Sequence, residues 1–415
     1  MMKKESAIGK KNREKTKFKE LTLHEYIMAA LLCFFGITSS LAIYQSDTTL
    51  AGTQTRMIIR VCVYVAFIVL IVVLTFIEGK IVIKKMWKLL IPVVCFFVTF
   101  LDDYTGESAI GLLAVLLLFV FFLVKDVVQA QTFKYFKNYL CIISLAGIVI
   151  YFSYIFHLSL PYRIVPYYEM GGADRYVDYT FGYLYIMKDM VRLCGLFNEP
   201  GYFGTIIALT LCAEQINLKK KTNIILFIAG CLTFSLAFIM IILGYIILLT
   251  YKKPKLFLFL VILFISWFWI IPDIKTDIVG LGTIINRLTI VDGKLLGNNR
   301  QSDALLQLYE TWKSSNHLIW GYGGGYVKSQ LLGKSPIGSS LRLYLINYGV
   351  AGAALLYLPT MIYSIQISRK NVLNLFYIIV FCLSILQRPN IFSVLYYVIL
   401  IGGIQDSNEI NRQYC

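Results

Sequence analysis

Arg192 and Glu199 share one short stretch, RLCGLFNEPGYFG (192–204), which runs directly into the apolar segment TIIALTLCA. An ionisable pair at the mouth of an apolar helix is costly to keep and points to a use. A guanidinium holds its charge at any physiological pH, and its fork matches two phosphate oxygens at once. Three further arginines stand at the edges of polar motifs: Arg300 in GNNR (297–300), Arg342 in SSLRLYL (339–345) and Arg388 in QRPN (387–390). Several such groups converging would hold a diphosphate. Glu199 beside them would orient an arginine or accept a hydrogen bond from a substrate hydroxyl.

Each of these residues has a second reading. Proline is favoured at the first helical position and a carboxylate is stabilised near a helix N-terminus. Glu199-Pro200-Gly201 therefore also suits a helix start, with Glu199 or Asn198 as the cap. Arginines at span ends can equally anchor a protein by snorkelling to lipid headgroups. The catalytic candidates are Arg192, Glu199, Arg300 and Arg342. Asn198, Tyr202, His317, Tyr344 and Arg388 are the candidates for substrate binding. His317 is the one histidine in a long polar loop, and a lone histidine is more often structural than catalytic.

Several chemistries find no support. Nothing matches GxxxxGK[ST], and the glycines of GYGGG (321–325) do not form a dinucleotide fingerprint. Asp102 and Asp103 stand alone on an acidic turn, with no carboxylate cluster to hold a divalent metal. The nine cysteines are scattered without a CxxC pair, which argues against zinc and a disulfide framework. No cofactor is expected. The net charge of +16 reads as topogenic lysine in short loops rather than nucleic-acid binding.

The elements that must position these residues are membrane spans. Hydrophobic residues make up 58% of the 415 positions and charged residues 15%, against about a quarter charged in a soluble domain. Apolar runs long enough for a hydrocarbon core of about 30 Å recur throughout. The expectation is an all-α polytopic membrane protein of about 12 transmembrane helices, near 24–44, 57–78, 87–101, 109–124, 138–159, 201–216, 223–234, 236–251, 256–271, 340–366, 372–387 and 391–404. Residues 223–251 exceed one span and divide at Thr233–Ser235.

Residues 1–23 read as a basic cytoplasmic tail, 24–404 as a single transmembrane domain and 405–415 as a cytoplasmic C-terminal tail. With the N-terminus inside, the short cytoplasmic segments carry lysine clusters such as 219–221, and the short outer turns hold only Arg56 and Arg388. Two outer loops, 160–200 and 272–339, are too long to be mere connections. In the second, Ala304, Leu305, Leu308 and Trp312 repeat at helical spacing, predicting an amphipathic helix over 302–316 near the interface.

RLCGLFNEPGYFG resembles the R-x-x-G-x-F-x-E-P-G segment that precedes a central span in the O-antigen polymerase and ligase families. GNNR, a glycine cluster, a polar span entrance and LSILQRPNIF follow in the order these families show. The resemblance implies a Wzy-type polysaccharide polymerase with a GT-C-like membrane fold, in the bacterial cytoplasmic membrane with its active site on the outer face. Such an enzyme joins repeat units of O-antigen, capsule or similar glycan carried on undecaprenyl diphosphate.

By that likeness Arg192 and Arg300, with Arg342, would bind the diphosphate and stabilise the leaving group without metal. A flippase and a chain-length regulator would be partners. The ligase relatives carry a histidine at the entrance of the span after the second long loop. SSLRLYL has arginine there instead, which weighs against a ligase and leaves the general base unassigned. A flippase or transporter, expected to show internal repeats and broken helices, is the alternative from another class.

Overall fold

The structure is a computed structural model. It describes residues 21–38, 86–102, 107–166, 175–179, 181–187, 190–197, 199–270, 290–291, 294–295, 303–331, 341–369, 371–388 and 393–414, with isolated positions 65, 69 and 285. The described residues are mostly helical, at 75%. In order come α1 (Leu23–Thr38), a 3-10 turn, α2 (Leu90–Asp102), α3 (Glu107–Leu123) and α4 (Asp126–Ile155). After a β-sheet follow α5 (Pro200–Ala213), α6 (Lys221–Leu232), α7 (Leu236–Leu249) and α8 (Pro254–Ile270). The second half holds α9 (Asp303–Lys313), α10 (Gly324–Leu331), α11 (Leu341–Ile367), α12 (Val372–Gln387), α13 (Val394–Tyr397) and α14 (Gly403–Tyr414).

Helices occupy eleven of the twelve apolar runs; the run at 57–78 lies outside the described residues apart from two positions. Among the described residues two helices, α4 and α11, are long and apolar enough to cross a membrane; the other apolar helices described there are shorter. The break inside 223–251 falls at Thr233–Ser235, where Phe234 turns the chain with φ 45° and the Ser235 hydroxyl caps α7 by accepting from Phe238 N–H. Helix α4 is the central strut. It packs on α1, α6 and α14, and its buried face runs from Val128 through Phe133, Phe136 and Leu140 to Ile150.

The expectation of an all-α chain is corrected at 163–195. These residues form a four-stranded antiparallel meander of β1 (Arg163–Pro166), β2 (Arg175–Asp178), β3 (Tyr183–Met187) and β4 (Met190–Gly195). The reason is period-two patterning in a segment rich in tyrosine and β-branched residues. Leu184, Ile186 and Leu193 enter the main core. The alternate residues Tyr183, Tyr185 and Cys194 form a separate buried cluster with Tyr176. The register sets Arg163 opposite Asp178, and their side chains pair at 2.6 Å. Gly147 on α4 admits β4, since a Cβ there would lie 2.9 Å from a Leu193 methyl.

The segment 405–414, read as a tail, continues the last apolar run as α14, and Gln405–Asn408 are buried. A π-turn, Val398–Gly402, joins it to α13. Here lysines and carboxylates interlock. Lys137 meets Glu214 at 2.5 Å, Lys220 meets the other oxygen of Glu214, and Lys134 lies 3.3 Å from Asp406 and 3.2 Å from Glu409. Burial pushes the Asp406 and Glu409 carboxyls above the usual carboxylate range, and Lys134 only partly opposes it.

Candidate functional site

Strand β4 ends in a sharp turn at Gly195, with φ +59°, and the chain then enters α5 through Phe197, Glu199 and Pro200. Proline at the first helical position needs no N–H partner there. Glu199 occupies the N-cap position, yet its side chain makes no capping hydrogen bond. It reaches instead to Arg388, whose Nη2 donates to Glu199 Oε2 at 2.5 Å. The proposed cap, Asn198, lies outside the described residues.

Arg388 is the C-cap of α12, with its N–H on Ser384 O at 2.8 Å. Its guanidinium is boxed in by small and flat neighbours. The Cζ sits 5.3 Å over the Tyr202 ring, a favourable cation–π distance. A Cβ on Gly201 would approach Nη2 to 2.8 Å, so glycine leaves the room this head group occupies. The Nε–H is buried and has no hydrogen-bond partner among the described residues. Tyr202 in turn stacks on Tyr396 at 6.3 Å, behind which lies a small cavity lined by Thr360, Phe381, Ile385, Tyr396, Tyr397 and Leu400.

Arg192 lies on β4, opposite Tyr185, and is buried. Its Nε donates to Thr233 O at 3.0 Å and its Nη2 to Phe234 O at 3.2 Å. Those carbonyls belong to the turn between α6 and α7, where a helix end leaves acceptors unsatisfied. The arginine thus ties the sheet to that turn. The same turn touches α5 from the other side, because a Cβ on Gly204 would meet Ser235 Cβ at 2.7 Å and Thr233 Oγ1 at 2.8 Å. Glu199, Gly201, Tyr202, Arg388 and the Thr233–Ser235 turn therefore share one end of the bundle, with Arg192 fixing the turn.

The other candidates are placed differently. Arg342 and His317 belong to the cluster of α9, α10 and the start of α11, built on Leu305, Trp312, Val327 and Ile346. Arg342 lies over the Tyr309 ring at 5.1 Å. The exposed His317 ring packs against Tyr322 at 4.5 Å, and its backbone oxygen accepts from the Trp312 indole at 3.0 Å. Helix α9 matches the amphipathic helix expected over 302–316, with Leu305 and Trp312 turned inward. Tyr344 packs on the main core beside Tyr348 and Tyr357. Arg300 lies outside the described residues.

Sequence reasoning missed the Thr233–Phe234 carbonyls and Tyr396. Backbone acceptors carry no side-chain signal, and Tyr396 is one aromatic in an apolar run. Cys194 is fully buried in β4, and burial pushes its thiol well above the usual range. Set against known protein families, characterised proteins and solved structures, the chain has no match.

Proposed function

We propose that this chain is a membrane glycosyltransferase of the polymerase type, joining oligosaccharide repeat units carried on undecaprenyl diphosphate at the outer face of a bacterial cytoplasmic membrane. In this reading the apolar helices are spans of a bundle of about twelve with GT-C-like architecture, and the end carrying Glu199 and Arg388 faces outward. Lysine-rich segments at the opposite end support that orientation.

The observation that carries the reading is the Glu199–Arg388 pair. A buried guanidinium, held over Tyr202 at a helix N-terminus with one N–H still to fill, is suited to an oxyanion. In the reaction the acceptor hydroxyl oxygen bonds to the anomeric carbon while the bond from that carbon to the diphosphate breaks. The electron pair leaves with the diphosphate, where Arg388 stabilises the developing charge. Half-exposed Glu199 accepts a hydrogen bond from the incoming hydroxyl and takes its proton as the new bond forms. Arg192 acts through the turn it ties down, as a positioning residue. Arg300 and Arg342 remain candidate diphosphate contacts from the second loop.

The test is purified protein supplied with a lipid-diphosphate repeat unit. A ladder of longer glycans that vanishes in Arg388→Met and persists in chelator is the expected result. Single transfer to an unrelated acceptor would identify a ligase instead, and movement of units across the bilayer without lengthening a flippase. Activity that chelation removes and divalent metal restores would overturn the arginine mechanism.

A further inference from the structure

Helix α11 is broken near its start. Gly349 adopts φ 66°, ψ −176°, and the chain at 317–323 enters the gap. Tyr322 N–H and Gly323 N–H donate to Ile346 O and Asn347 O, each at 2.8 Å. Beyond the break Val350 N–H and Ala351 N–H donate to Leu318 O and Ile319 O, each at 3.0 Å. Two glycines make the contact possible. A Cβ on Gly349 would lie 2.1 Å from Ile319 O, and one on Gly321 would lie 2.3 Å from Asn347 O. The loop thus replaces the hydrogen bonds that the helix loses.

What the loop displays is apolar. Leu318, Ile319 and Trp320 are 40%, 56% and 72% exposed. No charged residue occurs from Leu318 to Tyr326. Their exposure continues along α11 through Val350, Leu355, Leu358, Ile362 and Ile365. Spacing of three and four residues puts the last four on one stripe of a helix long enough to span a bilayer. The cations stand back from the tip. Lys313 and Arg342 both lie over the Tyr309 ring, at 5.3 Å and 5.1 Å. Arg342 precedes Gly349 by seven residues, at most about 10 Å of helix rise.

From this arrangement we infer that residues 318–320 are a re-entrant tip immersed in the acyl chains of the outer leaflet, with Lys313 and Arg342 at headgroup level. Irregular backbone survives in hydrocarbon only where its polar groups are satisfied within the protein. The paired break at Gly349 meets that demand for the Leu318 and Ile319 carbonyls and for the helix groups on either side of Gly349. Tryptophan next to a layer of basic residues is the pattern of a membrane interface. The inference rests on the membrane reading above but not on the glycosyltransferase activity.

The experiment uses full-length protein in phosphatidylethanolamine–phosphatidylglycerol liposomes, comparing wild type with Trp320→Phe. Five tryptophans emit, so the component lost in the variant isolates Trp320. Doxyl-labelled lipid should quench that component at least twofold, and aqueous iodide should leave it unchanged. Quenching by iodide would overturn the tip while leaving the membrane reading intact. So would protection from both quenchers, which would mean that a second copy or another protein covers the patch. Failure of the wild-type protein to float with liposomes would overturn the membrane reading itself.

Discussion

Arg388 and Glu199 stand 189 positions apart in the chain and meet in an ion pair with unequal partners. The arginine side chain is 6% exposed, whereas the glutamate is 47% exposed. The cation is a fixture of the protein interior; the carboxylate faces water and whatever binds there. On the proposed mechanism an incoming anion competes with Glu199 for this guanidinium.

That inequality decides what each substitution costs. Glu199→Ala strands a buried cation and should destabilise the protein by about 1–3 kcal/mol, whereas Arg388→Met leaves a carboxylate that water can solvate and should cost under about 1 kcal/mol. Polymerisation should nevertheless fall about 100-fold or more in Arg388→Met, the loss expected for one oxyanion donor. Thermal unfolding in detergent beside the glycan ladder measures both. Equal destabilisation by the two variants would contradict the asymmetry.

Arg192 should behave in the opposite way. It donates to two backbone carbonyls in a buried turn, and charged hydrogen bonds of this kind contribute about 1.5–3 kcal/mol each. Arg192→Ala is expected to lower stability by roughly 2–4 kcal/mol and activity with it. Arg192→Lys, which keeps charge but loses the fork, should recover only part of either. An inactive Arg192→Ala protein with wild-type unfolding behaviour would return this residue to direct substrate contact.

Two glycines on the second cluster separate strain from space. Gly349 and Gly323 both have positive φ, 66° and 84°, but a Cβ on Gly349 meets the Ile319 carbonyl at 2.1 Å while one on Gly323 meets nothing within 4 Å. Gly323→Ala should therefore cost only backbone strain of about 1–2 kcal/mol, and Gly349→Ala considerably more because the loop must leave the break. Hydrogen exchange at Val350 and Ala351 reports the difference directly. Protection retained in Gly349→Ala would contradict the described pairing.

The opposite end of the molecule should be sensitive to pH. Burial raises the Asp406 and Glu409 carboxyls, so both are easier to bury protonated. Their contribution is fully present below the ordinary carboxylate pKa of about 4 and is lost as pH rises through the raised values. Lys134, 39% exposed, offsets this loss by pairing with both. Lys134→Met should destabilise by about 1–3 kcal/mol at neutral pH and by less in acid, the figure reduced for the exposure of the lysine. Melting temperatures across pH 4–8 test the sign; a defect that grows in acid would refute it.

Much of this was legible in the sequence, for physical reasons. Long apolar runs fold as helices because little else satisfies their backbone, and the break at Thr233–Ser235 showed as polar residues inside an overlong run. The sheet at 163–195 was not legible as such. Its alternation is short, glycine-interrupted and built from tyrosines, which also suit an interfacial loop. The motif Arg192–Gly201 named Arg192 and Glu199, which the fold brings to one end of the bundle, yet the partner of Glu199 is Arg388, 189 residues away. No local pattern encodes that pairing; it depends on how α5 and α12 pack. The buried start of α14 was hidden because Gln405–Asn408 read as polar, whereas Asp406 meets Lys134 and Asn408 meets Asn374 and the Ile367 carbonyl, all on other elements.

The π-turn at Val398–Gly402 carries one residue more than an α-helix of the same height would hold. Deleting a single residue from it would restore a regular helix and swing everything downstream by about 100°. Asp406 would then rotate off Lys134, and Asn408 off the Ile367 carbonyl that its side chain now reaches at 2.6 Å. The extra residue therefore acts as a phase setting. It lets one continuous rod present an apolar face to its neighbours along most of its length and a polar face at its end, without a loop between them.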